Sequence, residues 1–155
     1  MVSSKGFTLV ELMVVIGIIA MITAFGVPGF RTLIADNRLT STSNNVMGAL
    51  QIARSEAVTQ RTVIKVCVSN ADNTACGNST DWSAGLLILR GTTVLKVVPS
   101  NNTGVTVTAS RNEIQYAGNG TTTAATISVS DSRSGSSRSI KVNAIGQACA
   151  GSTCS

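Results

Sequence analysis

Few residues in this 155-residue chain can do covalent or ionic chemistry, and their placement limits what that chemistry is. Glu11 is the only charge within the apolar run Phe7–Val27. A carboxylate in such surroundings is expensive unless it finds a partner, so it calls for a specific role. Four cysteines form two local pairs, Cys67 with Cys76 and Cys149 with Cys154. Four cysteines allow three connectivities, which sequence does not choose among. Local pairing is the preferred expectation, each bridge stapling a loop in an oxidising compartment. Eight residues separate the first pair and four the second, so the chain lacks two tight C-x₂₋₄-C zinc knuckles. No metal and no cofactor are expected.

Histidine is absent, which removes the commonest general base and metal ligand. Ser, Asp and Lys are present without a G-x-S-x-G elbow, and the carboxylates are scattered. These residues do not compose an enzyme, and no small-molecule substrate is expected. The formal net charge is +5, mildly basic and too dilute to name a partner. Arg133, Arg138 and Lys141 are candidate phosphate contacts for DNA. No aromatic residues interleave with them, so base stacking has little support, and a solvated basic loop and strand is the favoured reading.

The elements that must position these residues divide at the N-terminal third. Lys5 precedes the apolar run, whose 21 residues span roughly 31 Å as a helix, enough to cross a bilayer core. Beyond Pro28 the apolar residues Leu39, Val46, Leu50, Ala53 and Ala57 recur at helical spacing. The pattern predicts one helix from about Phe7 to about Gln60, roughly 80 Å long, which Pro28 can kink or loosen. Its first half is membrane or filament core and its second half a spine. From Thr62 the period changes to that of strands, expected at Thr62–Ser69, Trp82–Arg90, Thr93–Val98, Val105–Ala109, Glu113–Ala117, Ala124–Ser130 and Ser139–Ala144. Gly, Asn, Ser and Asp clusters separate them. The fold class is α+β: a long N-terminal helical spine packed against a mostly antiparallel sheet. Trp82 is read as a core residue. Arg54 and Glu56, two apart on the helix, do not face each other and are assigned to packing and a solvated face.

Gly6-Phe7-Thr8-Leu9-Val10-Glu11 resembles the signature of type IV pilins and type II secretion pseudopilins. The resemblance implies a leader, residues 1–6, cut by a prepilin peptidase after Gly6, and N-methylation of the new terminus, Phe7. It implies that residues 7–27 stay as a single-pass inner-membrane or filament-core helix, with Lys5 on the cytoplasmic side. It also gives Glu11 a role: pairing with the Phe7 amine of a neighbouring subunit during assembly.

A narrower resemblance, to the GspH/FimT family, rests on several motifs in order. Ala53, Arg54, Glu56 and Ala57 match Ala-Arg-x-Glu-Ala, Trp82 and Gly85 match Trp-x-x-Gly, and Ile114–Gly120 precedes a late Arg138–Gly146 strand. It divides the chain into a spine over 28–61 and a periplasmic β-rich domain over 62–155. It implies a minor pilin or pseudopilin, a low-copy subunit that starts assembly near the filament tip with other minor and major pilins. Some members bind DNA through a C-terminal Gly-Arg-x-Arg motif. Here Gly146 is followed by Gln147, Ala148 and Cys149. The Cys149–Cys154 end leans toward FimU-like minor pilins over GspH.

Overall fold

The computed structural model describes residues 6–100 and 104–151. One helix, α1, runs Leu9–Gln60, and its assignment continues unbroken through residues 25–28. The chain separates into two compact units, divided after Ile34. In the first, the described apolar side chains carry no burial: Leu9, Val10, Leu12, Met13, Ile16, Ile19 and Ile22 are all exposed.

The second unit, from Ala35, is a packed domain. The α1 residues Leu39, Val46, Leu50, Ala53 and Ala57, predicted from their spacing, are buried there, joined by Ala35 and Ala49. The helix stops in a Schellman-type turn. Thr62 N–H reaches back to the Ala57 carbonyl at 3.2 Å, and Arg61 takes φ +50°.

Among the described residues eight strands follow: β1 Ile64–Val68, β2 Gly85–Arg90, β3 Thr93–Pro99, β4 Val105–Ala109, β5 Glu113–Tyr116, β6 Ala125–Asp131, β7 Ser137–Val142 and β8 Ala148–Ala150. Where the sequence suggested one sheet over the spine, there are two, each four-stranded and antiparallel. Their orders are β3-β2-β1-β5 and β4-β6-β7-β8. Both send one face into the cluster around α1. Ile64, Val66, Ile88, Ile114 and Tyr116 come from the first sheet, and Val107, Ile127, Val129, Ile140 and Val142 from the second. In β4 and β6 burial alternates with the strand period, leaving Thr106, Thr108, Thr126 and Ser128 in solvent. β1 and β2 depart from that alternation. On their far face Cys67, Leu87 and Leu89 form a second small cluster with Val94.

One boundary and one whole strand depart from the pattern in the sequence for clear reasons. The expected strand Trp82–Arg90 is broken at its start. Trp82 N–H bonds the Val107 carbonyl at 2.7 Å, so this residue lies along β4 in the other sheet. A turn then closes with Gly85 N–H on the Trp82 carbonyl at 3.2 Å, and β2 begins only at Gly85. The Trp-x-x-Gly motif is therefore the crossing between sheets, with Trp82 buried as expected. β8 was not foreseen: Ala148-Cys149-Ala150 has no β-branched residue, and its pairing with β7 alone makes it a strand.

Candidate assembly site

The N-terminal site is built on the start of α1. Gly6 and Phe7 precede the helix, and Phe7 is 83% exposed. Thr8 is the N-cap. Its Oγ1 accepts the Glu11 N–H at 3.2 Å, and its own N–H donates to Glu11 Oε2 at 3.4 Å. This is a reciprocal capping box, which satisfies two backbone donors that the first turn leaves without helical partners. Glu11 thus has an intrachain partner besides the intersubunit role expected for it. The sequence carried this signal in Thr8-x-x-Glu11, the usual spacing of the motif. A carboxylate offers about four acceptor positions, so the cap leaves capacity for a further donor. The negative charge also favours the N-terminal end of the helix.

Downstream of this cap α1 holds an 18-residue window of mean hydropathy 2.4, none of it buried within the chain. A helix apolar on all sides, with no core to enter, has length and composition to cross a bilayer.

The other sequence motifs converge elsewhere, at the C-terminal end of α1. Arg54 Nη2 donates to the Ile145 carbonyl at 3.0 Å. Gly146, at φ +78°, fits so tightly that a Cβ there would lie 2.0 Å from the Gly120 carbonyl oxygen. At Gly118 a Cβ would lie 2.6 Å from the Arg61 carbonyl carbon. The arginine of the helix motif, the glycines after β5 and the glycine after β7 thus form one lock that fastens two turns to the helix. Their roles are structural. Tyr116, fully buried beneath them, has its phenol pushed up to about 12 by burial, with the Arg54 charge acting weakly in the opposite direction. Glu56 lies on another side of the helix. It accepts from Gln60 Nε2, and Gln60 Oε1 accepts from Arg90.

The disulfide Cys67–Cys76 is formed, with Cα atoms 5.6 Å apart. It joins buried β1 to the loop that re-pairs at Ser69 and Cys76. Cys149, on β8, is also disulfide-bonded, and Cys154 lies outside the described residues. The three candidate phosphate contacts are not brought onto one face. Arg138 and Lys141 differ by an odd number of residues along β7 and so point to opposite sides of the sheet. Arg133 lies in the preceding turn, its guanidinium against Gly104. Among the described residues no cluster of three or more His, Cys, Asp or Glu side chains is placed to hold a metal ion.

Residues 1–27 match the prokaryotic N-terminal methylation motif. Residues 42–146 match the family described as type II transport protein GspH. That match spans more than half of the chain, and the chain belongs to the GspH family: a type IV pilin-like protein of the minor pilin or pseudopilin class. Two crystal structures of the type IV minor pilin FimU from Pseudomonas aeruginosa share its fold. One is 23% identical with TM-score 0.58, covering 74% of this chain and 88% of that one. The other is 22% identical with TM-score 0.55, covering 73% and 92%. Comparison with curated proteins finds no match. The methylation motif and the apolar helix together indicate a pilin anchored in the inner membrane and incorporated into a filament.

Proposed function

We propose that this chain is a minor pilin, a structural subunit that acts in the assembly or initiation of a type IV pilus near its tip. The observation that carries the proposal is Glu11. It is the sole charge in the apolar run Phe7–Val27, one helical turn from the residue that cleavage after Gly6 would make the N-terminus. In this reading prepilin peptidase removes residues 1–6, and Phe7 is methylated. Residues 7–27 wait in the inner membrane, with the 28–61 spine and the 62–155 domain in the periplasm. On entry into a filament Glu11 receives the Phe7 ammonium of a neighbouring subunit. A buried charge satisfied in only one register favours that register over loose apolar bundling. Before assembly the Thr8 capping box keeps the carboxylate partnered. The Cys149–Cys154 bridge belongs to the same reading, as a staple of the C-terminal end.

The direct test is the fraction of Glu11→Ala protein recovered in sheared filaments. Strong loss from filaments with normal membrane levels is expected. Incorporation equal to the parent sinks the proposal.

A second reading, a minor pseudopilin of a type II secretion system, is favoured by the family description itself. Deleting the coding sequence and scoring surface pili beside secreted enzymes separates the two. A DNA-uptake role has weaker support, because Arg133, Arg138 and Lys141 share no face.

A further inference from the structure

The C-terminal end of α1 carries surface features that neither core packing nor the assembly reading uses. Among the described residues from Ala35 onward, four large apolar side chains are exposed: Val58, Val63, Val97 and Ile145. Two of them are linked through the Gly120 and Gly146 turns. Val58 Cγ2 lies 2.9 Å from the position a Gly120 Cβ would take, and Gly120 is in turn pressed against Gly146, the neighbour of Ile145. Val58 is 47% exposed and Ile145 61%. Arg54 sits beside both turns, its Nη2 on the Ile145 carbonyl.

Arg61 borders the same patch through its backbone contact with Gly118. It occupies a left-handed conformation, φ +50°, where glycine or asparagine would cost less. Its exposed side chain makes no hydrogen bond or ion pair among the described residues. The acidic residue of this helix end, Glu56, accepts from Gln60, whose amide oxygen in turn accepts from Arg90. The result is two exposed aliphatic side chains on neighbouring turns, with the Arg54 guanidinium between those turns and Arg61 three residues beyond Val58 on the chain. Exposed apolar side chains that cluster within a charged rim mark interaction surfaces.

We propose that Val58 and Ile145, edged by Arg54 and Arg61, form a docking surface for a protein segment that carries aliphatic side chains flanked by carboxylates. The charge of the rim selects the sign of the partner. The aliphatic centre selects protein over nucleic acid, since the patch offers no ring on which a base could stack. The surface is separate from Glu11, so its failure would leave the assembly reading intact, and the converse holds.

The test uses the full chain in detergent and three labelled probes: a short peptide alternating Asp or Glu with Leu or Val, its counterpart with Lys in place of the acids, and a single-stranded oligonucleotide. The acidic peptide is expected to bind most tightly. Arg61→Glu and Val58→Asp each weaken it by about tenfold, Arg61→Lys retains it, and Val97→Asp, an exposed apolar site elsewhere, leaves it unchanged. No preference for the acidic peptide, or an equal loss with Val97→Asp, overturns the proposal. Tightest binding by the oligonucleotide, lost in Arg61→Glu, also overturns it and assigns the patch to nucleic acid.

Discussion

Gly146 and Gly135 both sit at positive φ, +78° and +66°, yet only one of them is crowded. A Cβ at Gly135 meets nothing within 4 Å, whereas at Gly146 it would meet the Gly120 carbonyl oxygen at 2.0 Å. Gly135→Ala should therefore cost only the left-handed penalty, about 1 kcal/mol. Gly146→Ala must also push its turn away from the Gly120 backbone and should cost about 3 kcal/mol or more. Denaturant unfolding of the two variants side by side checks the difference. Tyr116 gives a second reporter, because it is the only tyrosine in the chain. Its phenol is raised from 10.0 to about 12 by burial. The folded state therefore holds this proton more tightly than the unfolded state does. The stabilisation is fully present below pH 10 and is lost as pH rises through about 12, at about 1.4 kcal/mol per pH unit at most. Absorbance titration of the folded chain should show tyrosinate only well above pH 10, and addition of denaturant should bring the transition back toward 10. A transition near 10 in the folded chain would show that the side chain is not buried. The Glu11 carboxylate was conspicuous in the sequence because nothing else in its surroundings is charged. Thr8, its capping partner, is far less conspicuous, because a hydroxyl at the head of an apolar run carries no such contrast.

At the scale of elements, the helix was legible because its period holds for many turns. The apolar positions from Leu39 to Ala57 that define the spacing are those that enter the core. Strands with strict alternation, such as β4, were legible to the residue. β2 was not, because both its faces are buried and a continuous apolar run does not show where it begins. The staple on β1 supplies the prediction at this scale. Cys67 and Cys76 are nine residues apart, and closing so short a loop removes only modest chain entropy. Cys76→Ser should lower stability by about 2–3 kcal/mol, read as a shift in the denaturant midpoint. Dithiothreitol on the parent chain should give a shift at least as large, since Cys149 is bridged as well. A variant as stable as the parent would mean that the loop is held by its hydrogen bonds. Asn70 already accepts from Thr74 and Ala75, and Ser69 bonds Asn73.

For the whole molecule, the division after Ile34 separates two regimes of the same helix. Before it the described apolar side chains are exposed, and burial has to come from lipid or from other subunits. After it the apolar side chains form one stripe and find their burial within the chain. Sequence by itself determined this division of labour, along with the α+β class, the helix, most of the strands and the isolation of Glu11. Each of these depends on local period, composition or spacing along the chain. The Cys67–Cys76 pairing, within one of the three connectivities that sequence allows, was decided by the structure. Only the tertiary structure decided that the strands form two sheets, that Trp82 belongs to the edge of the second, and that Ala148–Ala150 pairs at all. It alone brought Arg54, Gly118, Gly120 and Gly146 into one lock and set Val58 against Gly120. Arg54 and Ile145 are 91 residues apart. Contacts at such separation follow from how the sheets cross over the helix, which no local pattern of residues records.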